Sequence, residues 1–453
     1  MLPESFIQSL EGLTGFDKAA FVAVHEQREQ ITSVRLNESK PFELSHHPFL
    51  HQITQVPWCT NGYYLQDRPL FVQDPLWHAG AYYVQEASSM MLEKAFLKAK
   101  ELNPEPLKIL DLCAAPGGKS THIASLCDHK DVLVCNEVIK SRVPVLAENI
   151  RKQGFSNVII TNADSVDFEK LGGVFDLIVV DAPCSGEGLF RKDPQSINEW
   201  SIDNIQTCEL RQKRILDSIS KCLKPNGILI YSTCTYNPRE NNKQIESLIE
   251  LGFEPVNFEV KGNASHTFQC LPHLSKGEGF FISMLQNKSL ENPVKTNKSS
   301  KLLKTLKKQD EWMQGIPDEI EIYGFENKVL GGFPNTFDFF NESLSGIYCF
   351  SIGTEIGELK EKRFAPSEYL PFAQFLIKDE FPRVELDQSN ALKYLAKNPV
   401  MHQSNERGYV LLTFKSIPIG FGKFAGNRIN NLFPAEWKLR IMPSEDKWFS
   451  FSN

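Results

Sequence analysis

No stretch of this sequence approaches the roughly 20 consecutive apolar residues of a membrane-spanning helix, so no membrane partner is expected. The start, Met1-Leu2-Pro3-Glu4-Ser5-Phe6, lacks a basic segment followed by an apolar one, and no export leader is expected. A basic excess is missing too: 49 Lys and Arg face 56 Asp and Glu, for a net charge of −7. Composition therefore argues against a nucleic-acid binder, yet phosphate contacts depend on cations gathered on one face, so the sum does not decide the question. The 10 cysteines form no dense framework in a chain of 453 residues, which excludes a disulfide scaffold and points to the reducing cytoplasm. His46, His47, His51 and Cys59 match no zinc spacing, and Pro48 and Pro57 mark a loop there, so no metal is expected. No internal repeat is evident.

Two nucleotide-binding motifs are absent where they would be sought. Ile109 to Ser120 reads as a strand, a glycine-containing turn and a helix start, the place where open α/β sheets bind nucleotides. Gly118-Lys119-Ser120 invites a phosphate-loop reading, but the glycine that motif needs five residues earlier is Cys113. The dinucleotide fingerprint fails as well, because Ala115, Gly117 and Ser120 occupy its three glycine positions. Hydride transfer is thereby disfavoured.

What is present is a regular alternation. Strands are expected at Lys108–Leu112, Val132–Asn136, Val158–Thr161, Phe175–Val180 and Gly227–Tyr231, and a last one at Gly279–Leu285. Helices are expected at Ser120–Leu126, Pro144–Gln153, Glu209–Leu223 and Asn241–Leu251. The fold class is α/β, a doubly wound and mostly parallel Rossmann-like sheet. Four regions follow: an α-rich extension over 1–75, the α/β domain over 76–287, a lysine-rich linker over 288–310, and a mainly β accessory region over 311–453.

Cys184, in Asp181-Ala182-Pro183-Cys184, and Cys234, in Tyr231-Ser232-Thr233-Cys234, each stand where an apolar run ends. A single free cysteine usually behaves as a small buried hydrophobe. Two at strand ends, flanked by an acid and hydroxyls, point instead to one shared crevice. Glu137, Asp164 and Asp181 fall after successive strands. For each alone, a helix cap is the plain alternative. An acid after the second strand accepts hydrogen bonds from the hydroxyls of a free ribose. A turn not built for pyrophosphate, with such acids beside it, fits S-adenosylmethionine. Its expected contacts are Cys113, Ala114, Ala115, Pro116, Gly117, Gly118, Lys119, Glu137, Asp164 and Asp181.

Cys113-Ala114-Ala115-Pro116-Gly117-Gly118-Lys119, Asp181 to Gly188 and Tyr231 to Thr235 together resemble the Sun-type RNA cytosine-5 methyltransferases. Pro57-Trp58-Cys59, His78 to Met90 and Gly426 to Leu432 are similar to the bacterial RsmF-like branch of that family. The resemblance implies a small-subunit ribosomal RNA substrate, free or in a particle, and a PUA-like RNA-binding module near the C-terminus. It implies that Cys234 attacks carbon 6 of cytosine and that Cys184 serves release of the product. Asp181 is the expected donor near nitrogen 3. Arg191, Lys192 and Arg239 are weighed as phosphate contacts, and Trp58, Tyr82, Tyr83 and Phe190 as base-stacking rings, against plainer roles. Spacing alone leaves the two thiols interchangeable. The same chemistry on transfer RNA, and an RNA-binding assembly factor with vestigial activity, remain as alternatives. A monomer is expected.

Overall fold

The strand Phe175–Asp181 shows why the central sheet forms: Leu177, Ile178, Val179 and Val180 are all buried, so both of its faces are covered. Burying each such side chain contributes about 1.5–3 kcal/mol, which favours a strand with helices on both sides over an amphipathic one. Alternate residues divide cleanly. Ile109, Leu133, Leu177, Val179 and Ile230 enter one core, whereas Leu110, Val134, Ile178, Val180 and Leu229 enter another on the opposite face.

The protein is described from a computed structural model, which covers residues 2–27, 29–45, 47–289, 303–307, 315–344, 346–360 and 363–440. In chain order, β1 is Thr32–Leu36, β2 Ile53–Gln55, β3 Gly62–Leu65, β4 Tyr82–Val84, β5 Lys108–Asp111, β6 Val132–Asn136, β7 Val158–Thr161, β8 Phe175–Asp181 and β9 Leu223–Thr233. The central sheet runs Phe253–Pro255, Phe280–Asn287, β9, β8, β5, β6, β7 and Cys349–Ile352, with Thr267–Cys270 added beside Phe280–Asn287. From β9 to β7 the pairings are parallel. The order reverses at β5, so the turn after β5 sits at the switch point where such sheets bind ligands.

The N-terminal region is less helical than its sequence suggests. Glu4–Ser9 and Lys18–Gln27 are helices, but β2, β3, β1 and β4 make an antiparallel sheet. Its last strand, β4, lies beyond residue 75. The long helix expected from Glu209 starts earlier, at Ile202, because Ser201 caps it by accepting from the Asn204 N–H. The turn residues Lys224 to Gly227 fall inside β9 rather than ahead of it.

Most of the lysine-rich stretch over 288–310 lies outside the described residues. Within it Lys304–Leu306 is an edge strand on Glu321–Phe325, where a linker was expected. That strand belongs to the first of two five-stranded sheets in the C-terminal region. The second, built from Arg383–Glu385, Gly408–Phe414, Ile417–Phe424, Arg428–Asn431 and Val400–Met401, carries the late Asn-rich motif. No helix of the described residues is long and apolar enough to cross a membrane.

Candidate active site

The turn from Cys113 to Lys119 leaves the end of β5 and opens the helix Gly118–Leu126. Gly117 has φ +113°, a conformation that side chains resist, and a Cβ there would lie 3.3 Å from Asn149 Cβ. Ala114 and Ala115 are buried. Small residues keep the turn thin. Beside it, the Glu137 carboxylate accepts from the Ile139 N–H at 2.8 Å and pairs with Arg142 at 3.2 Å.

Asp111, at the end of β5, was not among the sequence candidates. Its Oδ2 accepts from Ser120 Oγ at 2.6 Å, while its buried Oδ1 has no partner. Burial pushes its carboxyl up to about 7, although the Ser120 bond works against this. An unpartnered buried oxygen, a glycine turn and a neighbouring carboxylate suit a ligand rich in amine and hydroxyl donors. The residues present therefore fit S-adenosylmethionine.

Asp164 holds a helix end. It caps the helix Ser165–Glu169 by accepting from Val166 N–H and pairs with Arg214 at 3.2 Å. The plain alternative of a helix cap is realised there, and its contacts do not extend to the other two acids.

Asp181 ends β8 beside Ser232 of β9, its parallel partner in register. Its Oδ2 accepts from Lys119 Nζ at 2.8 Å and its Oδ1 from Ser232 Oγ at 2.9 Å. The Lys119 side chain is 17 % exposed and that of Asp181 30 % exposed, so the pair opens on solvent. Burial alone would lower the Lys119 ammonium, but Asp181 outweighs it and holds the pKa above the ordinary value. Lys119 also lies 5.2 Å from the centre of the Phe280 ring.

The two thiols meet. Cys184 Sγ and Cys234 Sγ are 3.2 Å apart, and both residues are half-buried. The hydrogen bond with Cys234, reinforced by burial, raises the Cys184 thiol well above its ordinary value. Either sulfur can donate to the other across this contact. Donation to one sulfur stabilises its thiolate form.

Other candidates take plainer places. Arg191 is buried against Glu278 and Gly277, and Arg239 pairs with Glu209, so neither offers itself to phosphate in this arrangement. Trp58, Tyr82 and Phe190 are core residues. Of the residues set aside as ligands, His47 binds Asp74, His46 lies outside the described residues, and Cys59 packs near His122 instead.

Family models match along the chain: the N-terminal domain of 16S rRNA methyltransferase RsmF at 2–87, 16S rRNA methyltransferase RsmB/F at 99–286, and the methyltransferase RsmF PUA domain at 381–439. Ribosomal RNA small subunit methyltransferase F of Vibrio cholerae is 32% identical over 96% of this chain and 97% of its own length. The protein of that name from Aeromonas salmonicida is 30% identical over 89% of this chain and 90% of its own. Among solved structures, NSun6 from Pyrococcus horikoshii with SFG is 20% identical with a TM-score of 0.53, covering 63% of this chain and 98% of that one, a likeness of fold. The cofactor of this methyltransferase family is S-adenosylmethionine. With its N-terminal, catalytic and PUA portions all matched, the chain belongs to the ribosomal RNA small subunit methyltransferase F family.

Proposed function

We propose that this protein methylates carbon 5 of a cytosine in 16S ribosomal RNA through a covalent bond between Cys234 and the base. The observation that carries the reading is the pair of sulfurs 3.2 Å apart at the ends of adjacent strands, beside the Lys119–Asp181 pair. A one-step transfer has no use for two thiols in contact.

Carbon 5 of cytosine is too weakly nucleophilic to take a methyl group unaided. The Cys234 thiolate adds to carbon 6, and the ring electrons move to carbon 5. With Cys184 as the donor, the contact between the two sulfurs stabilises that thiolate. Both Asp181 oxygens accept hydrogen bonds, so the group with hydrogen to give toward the ring is the Lys119 ammonium rather than a protonated Asp181. Bound S-adenosylmethionine supplies the methyl group at the turn Cys113–Lys119. The carbon 5 proton then passes to a base, the double bond re-forms, and Cys234 leaves as thiolate. Cys184, within hydrogen-bond reach of that sulfur, stabilises the departing charge.

A cytosine inside a helix cannot reach these sulfurs, so the target base is unpaired or swung out at a cost of a few kcal/mol. The N-terminal sheet and the PUA portion flank the catalytic domain and choose the nucleotide. Mapping of 5-methylcytosine after gene deletion tests the reading. One site in 16S RNA is expected to be lost, and to return with the wild-type gene but not with Cys234→Ala. Intact 16S methylation with loss in transfer RNA overturns the substrate.

A further inference from the structure

Behind the sulfurs, the two cysteine loops are tied together by two buried carboxylates, and the ties cross. Glu240 belongs to the loop of Cys234, yet it accepts from the N–H of Ser185 at 2.8 Å and from Ser185 Oγ at 2.5 Å. Ser185 is the residue after Cys184. Glu187 belongs to the loop of Cys184, yet it accepts from Thr235 Oγ1 at 2.8 Å and from the N–H of Tyr236 at 3.1 Å. Those two residues follow Cys234. Gln212, on the helix Ile202–Ile219, donates to Glu240 at 3.1 Å and to the Pro183 carbonyl at 3.0 Å, fastening the other side of Cys184. Trp200 Nε1 donates to the remaining Glu187 oxygen at 2.9 Å.

Neither carboxylate reaches solvent, both side chains being 0 % exposed. A buried carboxylate is costly unless its oxygens are bonded, so these contacts hold the loops in one arrangement. The hydroxyl protons say more. Glu240 Oε2, Ser185 Oγ, Thr235 Oγ1 and Glu187 Oε2 form a chain with spacings of 2.5, 2.9 and 2.8 Å. Three contacts share only the two hydroxyl protons of Ser185 and Thr235, so the chain closes when one carboxyl carries a third. Burial raises the pKa of both acids, in the direction this requires.

We propose that Glu187 and Glu240 are positioning residues that act across the loops, Glu187 setting Cys234 for attack and Glu240 setting Cys184 for release. The assignment rests on the reading that Cys234 attacks.

Full-length enzyme, an unmethylated 16S RNA transcript and S-adenosylmethionine provide the test, with adduct formation and product release timed separately under single-turnover conditions. Glu187→Ala is expected to slow adduct formation about tenfold while release of formed adduct changes less than about twofold. Glu240→Ala is expected to do the reverse, with adduct that forms at nearly the normal rate and persists about tenfold longer. Thr235→Val should follow the first pattern and Ser185→Ala the second, since they cut the same contacts without removing a buried acid. Glutamine at either acid should restore much of the loss, because its amide accepts through oxygen and donates to the hydroxyl through nitrogen. S-adenosylmethionine binding by calorimetry reports whether each variant is folded, and a failed alanine variant leaves the hydroxyl variants to decide. Equal slowing of both steps in the folded variants, or a pattern that does not cross, overturns the clamp. Absence of any adduct in Cys184→Ala overturns the two-cysteine reading beneath it.

Discussion

The helix Gly118–Leu126 sends Lys119 to Asp181 and, one turn on, His122 to Glu93. One element therefore serves two polar clusters that contain the same kinds of group: a cysteine, an acid and a base. In the second, His122 Nε2 lies 3.1 Å from Glu93 and 3.7 Å from Cys59 Sγ, with Glu93 also accepting from the Thr60 N–H and hydroxyl. Its side chains are 1–2 % exposed, and buried Arg35 supplies counter-charge to Glu93. Burial lowers the His122 imidazole to about 4, although Glu93 pulls the other way, so this histidine is neutral at pH 7. The Lys119–Asp181 cluster is partly open and stands at the carboxyl ends of β8 and β9. Residue type is thus shared, and what separates a reaction centre from a structural joint is access at the switch point of the sheet.

The largest effect expected from breaking this contrast is at Cys234. Cys234→Ala should reduce methyl transfer by about four orders of magnitude, because the nucleophile is gone, as measured with labelled cofactor on 16S RNA. Lys119→Met removes the ammonium that faces the developing ring charge and should lower the single-turnover rate about 10²–10³-fold. Gly188→Ala comes next. A Cβ there would lie 2.8 Å from the carbonyl oxygens of both Cys234 and Gly279, so the cysteine loops must shift, with an expected loss of about 10²-fold in rate.

The closed cluster should answer in stability instead. The folded pKa of His122 is depressed to about 4 from 6.5, so the unfolded chain takes up that proton first as pH falls. The contribution of neutral His122 is present above pH 6.5 and is lost as pH drops toward 4. Glu93, at about 2 against an ordinary 4.5, continues the loss below pH 4.5: burial would raise it, but the His122 and Thr60 bonds prevail. The urea midpoint should therefore reflect about 1–2 kcal/mol lost at this residue between pH 7 and pH 5. His122→Gln should flatten that slope while methyl transfer per folded molecule changes less than about twofold. A tenfold fall in rate would erase the contrast between the clusters.

Much of the catalytic domain was legible because its signals are local. The apolar runs at β5 to β8, the Cys113–Lys119 turn and the two strand-end cysteines each declare themselves within a dozen residues. Of the N-terminal sheet only Thr32 to Asn37 reads as a strand in the sequence, because β2 and β4 are only three residues each and gain stability from β1 and β3 rather than from their own pattern. Asp111 is hidden inside the strand expected at Lys108–Leu112. Glu187 stands within the Asp181 to Gly188 motif and Glu240 just beyond the Tyr231 to Thr235 motif, yet their crossing is a tertiary fact with no periodicity to betray it. Asp164 shows what position alone leaves out. It follows β7, but a strand-end position does not reveal that Arg214 and a helix terminus also bond to its carboxylate.

The roles of Cys184 and Cys234 form the central claim, and trapping with both thiols intact tests it most directly. A 16S transcript carrying 5-fluorocytosine blocks loss of the group on carbon 5, so the covalent species accumulates and can be digested for peptide mass mapping. The nucleotide is expected on Cys234, with the methyl group already transferred. Attachment at Cys184, or methylated RNA with no attachment at all, would contradict the account.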